Sequence, residues 1–142
     1  MKKIVISTGM DFSLSPLAIK RYYELVHPEM KLFFYKENNN NGKRELVKIN
    51  EVEPPPIEIN ILKVDIGDDV IDPHLQYKDY VYFEPMRDDP NLVQVVEELG
   101  IKANGRYSKL EIVQVDGKYR IHENEAGSEW IETPNDIIWQ EA

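Results

Sequence analysis

The chain has no cysteine among its 142 residues. That excludes disulfides, thiolate metal sites and cysteine nucleophiles together. No apolar run approaches the ~20 residues that span a bilayer, and the opening Met1-Lys2-Lys3-Ile4-Val5-Ile6-Ser7 lacks the apolar region and cleavage site of a signal peptide. These absences lead to the expectation of a cytoplasmic protein that does not engage a membrane. Basic residues are also scarce: 17 Lys and Arg stand against 26 Asp and Glu, a formal charge of −9. A duplex-binding surface needs surplus cations to displace counterions, so nucleic acid is excluded as a general partner. Catalytic signatures are missing too, including the Gly-x-Ser-x-Gly elbow, His-Glu-x-x-His, the Gly-Lys-Ser/Thr ending of a phosphate loop and any metal-spaced histidine pair. The expectation is a non-enzyme that carries no cofactor and no metal.

What is present begins with length, which suits a single domain over residues 1–142 able to bury roughly two thirds of its unfolded surface. The clearest local signal runs from Arg87 to Arg106. Asp89 is placed to cap a helix, Pro90 sits at its first position, and Gly100 supplies a left-handed stop. Between them Leu92, Val95, Val96 and Leu99 recur at helical spacing and form one apolar stripe. A second helix opens at Ser15-Pro16 and ends at about His27, before Pro28.

Strands are expected at 3–6, 31–36, 46–49, 57–61 and 80–83, with Glu37 to Gly42 as a loop tip. Asp116-Gly117 carries the strongest short hairpin signal and should join strands at 110–115 and 118–122. Trp130-Ile131 and Ile137-Ile138-Trp139 are expected to close the core edge or a subunit contact. Pro54-Pro55-Pro56 marks a break, and residues 53–76 read as an excursion from the core. The order of elements points to an α+β fold, a mostly antiparallel sheet with two helices packed on it.

Three regions carry groups suited to binding. The loop Thr8 to Ser15 offers hydroxyls and free N–H groups ahead of a helix, as a phosphate would require; the plainer alternative is that Ser15 caps the helix while Phe12 and Leu14 staple it. A second set joins Phe83, Arg87, Asn91, Asn104 and Arg106, with Lys109, around the helix of the Arg87–Arg106 string. A nucleotide asks for an aromatic face, amides and a guanidinium, while the alternative is core, turn and surface pairing for each. Residues 101–121 are locally +3, leaving −12 for the rest of a −9 chain. The third set, Asp65, Asp68, Asp69, Asp72 and His74, lacks calcium-loop spacing and reads as a solvated acidic loop. His27 and His122 are lone histidines with structural roles.

The string RDDPxLVxVVEELGxxANG from Arg87 to Gly105, the loop Phe12-Ser13-Leu14-Ser15 and the stretch from Leu110 to Gly127-Ser128-Glu129-Trp130-Ile131 resemble a family of short phage and prophage proteins. Within it the chain is similar to viral anti-defence proteins of the Thoeris-inhibiting sponge type. That resemblance implies a protein of the infected or lysogenic bacterial cytoplasm that binds cyclic ADP-ribose isomers made by TIR-domain enzymes. It implies that the signal is held without cleavage, that the protein is a homo-oligomer with pockets near subunit contacts, and that Phe83, Arg87, Asn91, Asn104 and Arg106 are ligand contacts. The segment 53–76 is extra relative to that pattern. The competing expectation is an acidic protein-binding inhibitor of a host enzyme, motivated by the −12 outside the basic window.

Overall fold

The computed structural model describes residues 1–134 except Pro56 and Tyr82, with Asn40 described by its backbone alone. The chain runs β1 (Lys2–Ser7), α1 (Pro16–Val26), β2 (Phe33–Asn40), β3 (Lys43–Ile49), β4 (Ile59–Leu62), β5 (Asp69–Ile71), α2 (Pro90–Leu99), β6 (Leu110–Val115), β7 (Arg120–Glu123) and β8 (Glu129–Glu132). The fold is α+β, and every strand pair is antiparallel. Among the described residues the strands divide into three sheets, ordered β1-β6, β4-β2-β3-β5 and β7-β8.

Both helices form where their caps place them. The Ser15 side chain accepts a hydrogen bond from the Ala18 N–H at 3.1 Å, and Asp89 accepts from the Asn91 N–H at 2.8 Å. Gly100 ends α2 with φ of 58°, the left-handed conformation that glycine adopts without a Cβ penalty.

The run Ile4-Val5-Ile6 is continuous because the β1–β6 ribbon is covered on both faces. Successive strand side chains alternate sides, so Val5 packs with Ala18, Leu92, Val95 and Ala103 under the helices. Ile4 and Ile6 turn the opposite way and meet Val115, Tyr119, Ile121 and Ile131 beneath the β7–β8 hairpin. Each such side chain contributes roughly 2 kcal/mol of burial.

That layering explains why the Asp116-Gly117 hairpin does not form. β6 pairs with β1, and β7 pairs with β8. Gly117, with φ of 82°, carries the chain across the ribbon edge so that β7 covers the ribbon's second face. Side chains from Leu110 to Val115 are needed on both faces, and β1 is the partner that completes both.

The asparagine-rich stretch also departs from expectation. Glu37 to Asn40 continue β2, paired with β3 as far as Asn40↔Lys43, and only Asn41-Gly42 turn, both with positive φ. A two-residue turn of this hand suits the twist of a hairpin and sets its register. The segment read as an excursion supplies both edge strands of the four-stranded sheet, β4 against β2 and β5 against β3. Tyr35, Leu46 and Leu62 are fully buried on one face of this sheet, with Ile66, Leu75 and Tyr80 against them.

Of the strand expected at 80–83, Tyr82 lies outside the described residues; Tyr80 forms an isolated bridge with Leu62, and the Val81 N–H bonds Ile61 O at 3.0 Å. Phe83 then leaves the sheet to pack against α1. Ile137-Ile138-Trp139 lie outside the described residues.

Candidate functional site

The five residues expected to contact a ligand have separate occupations. Phe83 meets Tyr22 edge to face at 4.6 Å and Tyr23 at 5.9 Å. Arg87 makes two parallel bonds to Glu129, at 2.6 and 2.8 Å, and its guanidinium lies 3.5 Å from the centre of the Phe12 ring. Glu129 is buried, its side chain 5% exposed, and also accepts from the Ser7 N–H at 2.8 Å. This fork ties β8 to β1. Asn91 stands half-buried in the first turn of α2. Asn104 accepts from the Leu110 N–H at 2.9 Å through its side chain.

Arg106 is exposed, 5.2 Å from the Tyr107 ring, at a cleft shared with Ser13, Pro16 and Glu58. Phe83 thus packs on α1, Arg87 pairs with Glu129 rather than with a neighbour in sequence, and Asn104 bonds the Leu110 backbone.

The loop from Thr8 to Ser15 is similarly committed. Ser15 caps α1 and donates to Lys102 O at 2.6 Å. Leu14 bridges to Asn104, and Ser13 O accepts from the Ser108 hydroxyl at 2.8 Å. Gly105 is required here, since a Cβ would stand 2.0 Å from Ser13 Oγ.

The locally basic window does not converge either. Arg120 bonds Glu132 and lines a different cavity, with Lys118 and Pro134. Among the acidic set, Asp68 is almost fully exposed, and the described residues hold no group of three potential metal ligands.

Cationic and apolar groups do come together elsewhere. Between the C-terminal half of α1 and the β2–β3 sheet lie two adjoining cavities that share Lys20, Lys31, Leu32 and Phe34. The larger, about 340 Å³, adds Phe33, Lys48, Asn50 and Asp65 to its walls. The smaller, about 200 Å³, adds Tyr23, His27, Pro28 and Met30. Lys20 and Lys31 thus belong to both cavities; Lys48 and Asp65 distinguish the larger, and Glu24, His27 and the Tyr23 ring the smaller.

Local structure produces this pairing. β2 alternates, so Phe34 faces one side of the sheet while Phe33 and Tyr35 share the other with Lys48, and the larger cavity takes residues from both faces. Phe33 carries Lys31 Nζ 5.6 Å and Lys48 Nζ 5.5 Å from its ring centre, contacts that hold ammonium groups in place. Lys48 also meets Asp65 at 2.6 Å. This bond holds the Asp65 carboxyl down at about 2, with the Gly67 N–H adding to the effect, and it raises Lys48 in turn. Burial pushes the Tyr23 hydroxyl above the ordinary tyrosine range. Among the described residues Lys20 and Lys31 form no ion pair.

The groove went unseen in the sequence because Lys20, Lys31 and Lys48 belong to a helix, a loop and a strand. The one local hint is the sequence of Lys31 beside Leu32-Phe33-Phe34.

The chain is thus an α+β protein with two adjoining cavities that share Lys20 and Lys31. No family model, curated protein or solved structure matches the chain.

Proposed function

We propose that the protein binds and sequesters a nucleotide-derived signal, of the cyclic ADP-ribose class implied by its resemblance to anti-defence sponges. On this reading it acts by holding the molecule rather than transforming it, and it assembles as a homo-oligomer. The observation that carries the reading is the pair of adjoining cavities that share Lys20 and Lys31, the larger adding Lys48 and Asp65, the smaller adding Tyr23, Pro28 and Met30 with Glu24. A phosphate suits the shared lysines, and a ring suits the Tyr23, Pro28 and Met30 wall beside them. Cavities of roughly 300–1,000 Å³ with few convergent polar groups are the usual dimensions of ligand sites.

A sponge works by stoichiometry, so nanomolar binding, about −12 kcal/mol, is the relevant scale. Titration calorimetry with cyclic ADP-ribose isomers and ADP-ribose tests the proposal, followed by heating the complex and identifying what is released. Expected are saturable binding, intact ligand after heating, and a loss of at least about tenfold in affinity (~1.4 kcal/mol) for the Lys20→Glu, Lys31→Glu double variant. Absence of binding, or recovery of hydrolysed product, sinks it. Native mass spectrometry of the same sample counts the subunits.

One observation favours a second reading, an acidic protein-binding inhibitor. Asp68, Asp69 and Asp72 are all exposed along the β5 edge of the four-stranded sheet. A single stoichiometric host enzyme, held by the native protein and lost on neutralising these three, would support that alternative.

A further inference from the structure

Two carboxylates reach Lys48, Asp65 at 2.6 Å and, from outside the cavity walls, the almost fully exposed Asp68 at 3.7 Å. Asp65 shares the larger cavity with Lys20, Lys31 and Lys48, and its Oδ1 sits 2.6 Å from Lys48 Nζ. It is not a loose rim charge. The same oxygen accepts from the Gly67 N–H at 2.9 Å and lies 3.2 Å from the Tyr35 hydroxyl. Tyr35 itself is fully buried in the sheet. Its hydroxyl also donates to Gly67 O at 3.0 Å and accepts from the Ile66 N–H at 3.1 Å, so the turn carrying Asp65 is anchored to the sheet.

We infer that Asp65 is a tethered anion that competes with the ligand for Lys48 and thereby sets the affinity of the groove for negatively charged ligands. This rests on the proposal that the groove holds such a ligand. With Asp65 in place, Lys48 is already neutralised, and an incoming phosphate meets two unpaired ammoniums, Lys20 and Lys31. A second phosphate oxygen reaches Lys48 only in competition with Asp65, and it is repelled by the same carboxylate. The carboxyl stays ionised throughout the working pH range, being held at about 2.

Asp65→Asn tests the inference, because asparagine keeps an oxygen acceptor for Gly67, Tyr35 and Lys48 while losing the charge. ADP-ribose, titrated at low salt, should bind Asp65→Asn about threefold to tenfold more tightly than the native protein, with the gain shrinking as salt is added. Asp69→Asn removes the same charge from the β5 edge, outside the groove, and should leave affinity unchanged. Adding Lys48→Met to Asp65→Asn should abolish the gain.

If the native protein binds ADP-ribose and Asp65→Asn binds it equally or more weakly, this inference is overturned while the sequestering function stands. An equal gain in Asp69→Asn also overturns it, since bulk charge would then be the cause. If neither the native protein nor Asp65→Asn binds, the ligand proposal fails and takes this inference with it. Binding by Asp65→Asn alone would support the competition directly.

Discussion

Arg87 owes its position to Glu129, a carboxylate that reaches it from 42 residues away. Burying an acid is costly unless it is paired and hydrogen-bonded, and here Arg87 and the Ser7 N–H satisfy it. Removing one partner strands the other, so Arg87→Ala should lower unfolding stability by about 3 kcal/mol, measured by urea denaturation. Lysine cannot reproduce either the fork or the stack on Phe12, and Arg87→Lys should recover little of the loss. A loss of less than about 1 kcal/mol would show the pair to be worth no more than an exposed one. An arginine beside two aspartates in sequence reads equally well as a ligand clamp. Only its fold-mediated meeting with Glu129 distinguishes the two roles.

The helices are the elements most nearly written in local sequence, because caps act within a few residues of themselves. Asp89 extends that role by accepting from the Tyr22 hydroxyl at 2.5 Å, which joins the start of α2 to the middle of α1. Burial first, and this bond second, push the Tyr22 hydroxyl up to about 12. Asp89→Ala removes the cap and the bridge together, and should cost about 1–2 kcal/mol in thermal or chemical unfolding. It should also bring the Tyr22 tyrosinate titration down, though not fully, since burial remains. A Tyr22 titration unmoved by the substitution would break the link between the two helices.

The strands are less local, and β6 is the clearest instance. Asp116-Gly117 has the chemistry of a hairpin, yet covering both faces of the ribbon outweighs it. At the end of the strand expected at 80–83, Phe83 leaves the sheet edge for a better surface on Tyr22 and Tyr23.

Across the whole molecule, surface ion pairs tie distant segments. Glu98, bonded by Arg21 and Gln94, titrates at about 2 against an ordinary 4.5. Asp65 lies at about 2 against 3.8, and Glu132 is lowered chiefly by Arg120. A carboxyl depressed by folding adds stability above its ordinary value and loses it as pH falls towards the folded one. Stability should therefore hold down to about pH 4.5 and then decline towards pH 2. A series of urea midpoints across that interval measures the decline, and Glu98→Gln should make it shallower. A flat profile would mean that these groups titrate alike in the folded and unfolded chain.

By itself the sequence determined the α+β class, both helices with their caps, the buried strand at Ile4-Val5-Ile6 and the shortage of basic charge. Each depends on neighbours within a few positions or on composition, and so survives without knowledge of the fold. Tertiary structure decided which strand pairs with which, and turned residues 53–76 into sheet edges. It also committed Arg87 and Asn104 to structural partners and gathered Lys20, Lys31 and Lys48 around one groove. The physical reason is range: pairing, burial on two faces and convergence of charge are properties of segments far apart in the chain, and no local pattern encodes which of them will meet.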